Sequence, residues 1–161
     1  WQSAEEGWRV VHNPRKGRFA SRLWGHVPQG VGDVNALARL RKESKASGCL
    51  GTFHSKKVSS RYGRIDAGKR DPISRSYRLE PDGFCPTLRA GTGKEHGSFQ
   101  AVRPLHPTES RVITPREAAR LQGFPDWFQF SPSKWHSFRQ IGSSVSPILA
   151  EQVLATIGHS L

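Results

Sequence analysis

Thiols are scarce in this chain. Its 161 residues include two cysteines, Cys49 and Cys85, too few for a disulfide framework of the secreted kind. One bridge between them is possible, but the better reading is two unpaired thiols in a reducing, cytoplasmic compartment. The 7 histidines lie far apart and neither cysteine sits in a Cys-x-x-Cys pair. The clustered ligands of a tetrahedral metal site are therefore missing, and no metal-binding residue is assigned. No apolar run approaches the ~18 residues of a membrane span, and no secretory leader is visible. Two nucleotide-loop patterns also fail. Gly91-Thr92-Gly93-Lys94 has Leu88 where a phosphate loop requires Gly, and Gly97, the third glycine of a dinucleotide fingerprint, comes one residue late. The chain opens at Trp1 rather than Met, as a segment from within a longer product would.

Positive charge, by contrast, is plentiful and unevenly placed. The net charge is +12. Residues 1–103 hold 20 Lys/Arg against 9 Asp/Glu, and residues 104–161 hold 5 against 4. A field concentrated in the first two-thirds suits a polyanion such as DNA or RNA. A solubilising surface or a ribosomal-type basic protein would look similar on charge alone. With 16 glycines and 11 prolines, the chain should be rich in turns and irregular loops, around a modest core.

Residues 1–32 read as irregular, with a short strand around Arg9–His12 and a basic loop carrying Arg15, Lys16, Arg18 and Arg22. Asp33 is placed to cap a helix over 35–45 that stops at Gly48. Leu37 and Leu40 would face a core, and Arg39, Arg41, Lys42 and Lys45 would project outward, toward phosphate or simply toward water. Residues 49–75 read as a basic loop region. Short strands are expected at Tyr77–Leu79, Thr87–Ala90 and Phe99–Val102, separated by the turn sequences Pro81-Asp82-Gly83 and Gly91-Thr92-Gly93.

The tail has clearer punctuation. Thr114-Pro115-Arg116-Glu117 predicts a capped helix, with Pro115 in the first position and Glu117 completing a capping box. Gly123 and Pro125 end it. Ser146-Pro147 opens a second helix, whose residues Ala150, Val153, Leu154 and Ile157 fall at i, i+3, i+4 and i+7, and Gly158 stops it. That apolar stripe is greasier than a small domain's surface needs. Arg116, Glu117 and Arg120 look like bracing residues, and Trp127 and Trp135 like core or lobe-interface aromatics.

The segment Arg111–Pro125, containing Thr-Pro-Arg-Glu-Ala-Ala-Arg-Leu-Gln-Gly-Phe-Pro, resembles motif IX of the cytosine-5 DNA methyltransferases. Gln140-Ile141-Gly142-Ser143-Ser144-Val145-Ser146-Pro147 resembles their motif X. Both occur in the family's order and near its spacing. Thr87-Leu88-Arg89-Ala90-Gly91-Thr92-Gly93 is similar to a glycine-rich loop of the family's target-recognition domain. The resemblance implies an α+β chain in which a small, irregular, β-rich target-recognition lobe (1–107) is followed by two short helices (108–161). Those helices would pack on an α/β S-adenosylmethionine-dependent methyltransferase domain, in cis or as a separate subunit.

The implied partner is double-stranded DNA, and the implied cofactor is S-adenosylmethionine. The implied DNA-binding residues are Thr87, Arg89, Gly91, Thr92 and Gly93, with Arg75 and Arg78 in a companion loop. Hydroxyl and guanidinium groups bond phosphate oxygens, Arg also forks onto guanine, and glycines let backbone approach the duplex. An ordinary hairpin turn with an exposed Arg is the plainer alternative. Gly142, Ser143 and Ser144 would lie beside the methyl donor, although the family has Asn where Ser143 stands. A Ser/Gly turn before a capped helix is the plainer reading there.

The family methylates carbon 5 after a cysteine thiolate adds to carbon 6 of a flipped-out cytosine. Its Pro-Cys, Glu-Asn-Val and Phe-x-Gly-x-Gly patterns are not in these 161 residues. Cys85 precedes Pro86, the reverse of the required order, so no catalytic residue is assigned. Expected, then, is a C-terminal recognition part of such an enzyme, inactive alone. The alternatives are a stand-alone DNA-binding module and a basic structural protein. The reading frame upstream of Trp1 would separate the first two.

Overall fold

A computed structural model describes residues 7–12, 17–24, 27–92 and 101–158. Gly93, the basic residues Arg15 and Lys16, and the start of the expected 99–102 strand lie outside them. The element order is β1 (Arg9–Val10), α1 (Arg18–Trp24), α2 (Val34–Glu43), β2 (Lys45–Ala46), α3 (Lys56–Gly63), α4 (Pro115–Gln122), α5 (Lys134–Ser143) and α6 (Pro147–Gly158). β1 and β2 pair antiparallel, with Arg9 opposite Ala46 and Val10 opposite Lys45.

Local chemistry explains the helix ends. Asp33 accepts the Ala36 N–H at 2.8 Å and caps α2. That helix stops at Ser44 in the left-handed region (φ 53°), ahead of the expected Gly48, because the chain turns there into β2. At α4 both halves of the capping box form. Glu117 N–H donates to Thr114 Oγ1 at 3.2 Å, and Thr114 N–H donates to Glu117 Oε2 at 2.7 Å. Gly123 closes the helix at φ 88°, a conformation that costs a residue with a Cβ about 1–2 kcal/mol.

Three expectations need correcting. The lobe before residue 107 is not β-rich among the described residues: it holds three helices and two strands of two residues each. The anticipated strand at Tyr77–Leu79 is reduced to isolated bridges, Arg70 with Tyr77 and Arg78 with Leu105, and 87–90 forms no ladder. Scattered backbone bonds, such as Leu105 N–H to Tyr77 O at 2.8 Å and Arg78 N–H to Lys69 O at 2.8 Å, hold the 77–79 stretch in place of a regular ladder. Second, α1 and α3 occupy stretches read as basic loop. Third, the described part of the tail has three helices. The additional one, α5, gives little warning, since Ser133 makes no side-chain cap bond and Gly142 sits in its last turn.

Among the described residues the core falls into three clusters, and each draws on both sides of residue 107. Leu79 packs with Ile113, Ala118, Ala119, Phe124 and Ile141. Val11, Leu40 and Ala46 pack with Trp127. Tyr62 and Leu105 pack with Val112. A fully buried Leu or Ile in such a cluster contributes about 1.5–3 kcal/mol.

Arg116, almost fully buried, joins the parts electrostatically. Its Nε donates to Ser47 O at 2.8 Å, Nη1 to Pro125 O at 3.2 Å and Nη2 to Phe128 O at 2.7 Å, while its backbone N–H bonds Gly48 O at 2.9 Å. Arg120 forks onto the buried Asp126 at 2.9 and 2.6 Å. Both arginines brace, as their spacing suggested. Glu117, however, pairs with Arg111 at 2.9 and 2.8 Å rather than with Arg120. Helix α6 differs from the rest. It has no buried residue, and Leu149, Val153, Leu154 and Ile157 are all exposed. Its attachments include an Arg22–Glu151 ion pair and Ile148 lying over Gly123.

Candidate nucleic-acid interface

The segment 87–91 runs between the turn at 81–84 and the end of the described stretch. Its side chains alternate: Thr87, Arg89 and Gly91 are exposed, and Leu88 and Ala90 are half-buried. Leu88 packs on the cluster of Leu79 and Ile141. An extended stretch with one face anchored presents the other to a partner. Thr87 and Arg89, two residues apart, are thus both exposed. Phe84, three residues before Thr87, is almost wholly exposed. Thr92 is half-buried and Gly91 has φ 76°.

A second loop, 69–78, is rigidly built around a buried carboxylate. Asp71 accepts the Ser74 N–H and hydroxyl at 2.6 Å each and Arg61 Nε at 2.8 Å. Burial alone would raise the Asp71 pKa, but these bonds outweigh it and hold the group below the usual carboxylate range. The loop closes through Asp71 N–H to Ser76 O at 2.8 Å and Arg78 N–H to Lys69 O at 2.8 Å. At its turn Arg75 is exposed with φ 62°, a conformation uncommon for a residue with a side chain. Exposed Lys69, Arg70 and Ile73 surround it. The sequence did contain a signal for this loop. Asp71-Pro72 is a turn starter, and a serine three residues on can answer the carboxylate.

Arg78 is a correction. Grouped with Arg75 as a DNA contact from sequence, it is only 5% exposed. Its Nη1 donates to His106 O at 2.6 Å and to Glu109 O at 3.2 Å, and its Nη2 donates to Tyr62 O. The guanidinium ties α3 to the 106–109 loop and does not reach the surface. Desolvation lowers its pKa.

The three residues expected beside a methyl donor lie at the end of α5. A Cβ placed on Gly142 would stand 2.5 Å from Ala90 N and from Arg89 C, so that side of Gly142 is filled by the backbone of the 87–91 segment. The Ser144 hydroxyl donates to Ile141 O at 2.7 Å, and Ser144 O accepts from Gln122 Nε2 at 3.1 Å. Ser143 alone of the three is exposed. These residues do not by themselves form a cradle for a molecule the size of S-adenosylmethionine. Cys49 and Cys85 are half-buried, and burial raises both thiol pKa values. Neither is primed as a thiolate nucleophile. Among the described residues no helix is long and apolar enough to cross a membrane.

Comparison with known proteins agrees with the motifs. A family model described as C-5 cytosine-specific DNA methylase matches residues 16–159. Type II methyltransferase M.XorII of Xanthomonas oryzae pv. oryzae is 50% identical over 115 residues, covering 71% of this chain and 27% of the relative. DNA (cytosine-5)-methyltransferase 2 of Arabidopsis thaliana is 56% identical over 46 residues, covering 29% of this chain and 3% of the relative. A crystal structure of an E. coli protein described as a prophage-encoded DNA modification methyltransferase superposes with a TM-score of 0.86 at 54% identity, over 99% of this chain and 42% of that one. The chain thus spans less than half the length of these relatives. By its motifs, its matched span and its likeness in structure, the chain belongs to the C-5 cytosine-specific DNA methylase family.

Proposed function

We propose that this chain is the DNA-recognition part of a DNA (cytosine-5) methyltransferase, an enzyme that moves a methyl group from S-adenosylmethionine to cytosine within a specific duplex sequence. Residues 1–107 supply most of the recognition surface. Residues 108–161 close the fold, with α6 laid on a methyltransferase domain that binds most of the cofactor. The observation that carries this reading is the exposed pair Thr87 and Arg89, with Leu88 between them packed on residues of motif IX and motif X. Gly91, Thr92 and Gly93 complete the proposed set of DNA-binding residues. The exposed apolar stripe of α6 supports the docking arrangement, because such a stripe is costly to leave in water.

The cysteine, glutamate and glycine-rich patterns of the family's chemistry are not among these 161 residues. The chain alone therefore does not turn over. In an assay with labelled S-adenosylmethionine and cytosine-containing duplex, it transfers no methyl group, while it does bind the duplex. That binding weakens steeply between low and moderate salt, as phosphate contacts release counterions. Methyl transfer by the chain alone would overturn the division of labour. Duplex affinity that ignores salt would overturn the DNA-recognition role.

A further inference from the structure

The geometry points to Gly142 as a positioning residue for DNA recognition: the missing side chain at 142 lets the 87–91 segment sit directly on the last turn of α5, which sets where Thr87 and Arg89 stand. The inference rests on the recognition role proposed for that segment. It also gives Gly142 a different duty from the donor contact that the motif resemblance implied.

Three observations support it. A Cβ on Gly142 would meet Arg89 C and Ala90 N at 2.5 Å and Ala90 Cα at 2.8 Å. All three are backbone atoms, so no flexible side chain could give way. The same side of α5 carries Trp135 and Phe138, which line one small cavity together with Leu88, Arg89 and Ala90. Positions 135, 138 and 142 are spaced i, i+3, i+7, one stripe of a helix. Finally, the helix under the loop is itself fixed. Ile141 is fully buried, and Gln122 of α4 bonds Ser144 O at 3.1 Å. The loop is the part that must yield when an atom is added at 142. A displacement of about 1 Å is enough to break the short polar contacts through which arginine reads a base edge.

The test is a double-mutant cycle on duplex binding, with thermal melting as a check on folding. Arg89→Ala and Gly142→Ala should each weaken duplex affinity, Gly142→Ala by about tenfold, within the range expected for losing one base-reading arginine. Their combination should be no weaker than the worse single variant, because both remove the same contact. General damage to the fold would instead lower the melting temperature and add to the effect of Arg89→Ala. Leu88→Ala loosens the anchoring of the segment on the cluster that includes Ile141 of α5, without adding an atom at 142, and should show the same loss and the same non-additivity. It decides the matter should Gly142→Ala fail to fold. Additive effects, or full affinity in Leu88→Ala, would overturn the positioning role and leave DNA recognition standing. A wild-type chain with no duplex affinity would remove both.

Discussion

Arginines in this chain divide into those that hold the protein together and those that face outward, and burial separates them. Arg89 is exposed, so Arg89→Ala should leave urea unfolding nearly unchanged while costing duplex binding on the order of 1–3 kcal/mol if the side chain reads a base. Arg116 should behave in the opposite way. Its guanidinium answers Ser47 O, Pro125 O and Phe128 O, and Arg116→Leu leaves those carbonyls without their charged donor. A loss of about 3 kcal/mol is expected in the unfolding free energy. Arg78→Ala belongs with Arg116: its main readout is a lower melting temperature, and any effect on DNA follows from that. Sequence spacing grouped Arg78 with Arg75, and only the fold distinguishes them. One stands at a left-handed turn, and the other lies beneath it among carbonyls supplied by residues 62, 106 and 109.

Among the elements, those with end signals were legible in sequence. Thr114, Pro115, Glu117 and Gly123 announced α4, and Asp33 announced α2, because capping is local chemistry written within four or five residues. Thr114→Ala should therefore cost about 1 kcal/mol, measured by denaturant midpoint. Helix α5 was missed for the opposite reason, since Ser133 makes no side-chain cap bond, and α3 was missed although Ser55 caps it, accepting the Val58 N–H at 3.4 Å. Their sequences are polar or mixed, and long-range partners stabilise them, such as Tyr62 against Leu105 and Ile141 against Leu79. The loop strands failed likewise, since an isolated bridge between residues 78 and 105 leaves no period-two pattern. Two carboxylates make element stability depend on pH. Burial opposes ionisation of both Asp71 and Glu117. Bonds from Ser74 and Arg61 to the first, and from Arg111 and Thr114 N–H to the second, outweigh it and lower both pKa values. Unfolded carboxylates take up protons near pH 4, and the folded ones only below that. Their stabilisation is therefore complete at neutral pH and is lost as pH falls through about 4 toward the folded values. Urea midpoints measured from about pH 6 down to about pH 3.5 should decline, and Glu117→Gln should flatten part of that decline.

For the molecule as a whole, the exposed side of α6 governs behaviour in solution. Leu149, Val153, Leu154 and Ile157 form a patch of the kind that associates, so the chain on its own should self-associate as concentration rises. Val153→Lys with Leu154→Glu should shift sedimentation toward the monomer without lowering the melting temperature, because neither side chain is buried. The motifs showed where this surface would be, and the fold adds what surrounds it. The bonds from Arg116 to Ser47 and Gly48, together with three clusters that all straddle residue 107, bear on protein engineering. Anyone grafting the sequence preference of one relative onto another would be tempted to splice just ahead of motif IX. The guanidinium at 116 would then face a foreign loop, and Trp127 a foreign helix. On the recognition role proposed above, the cassette to transplant is the lobe together with its closing helices, moved in one piece.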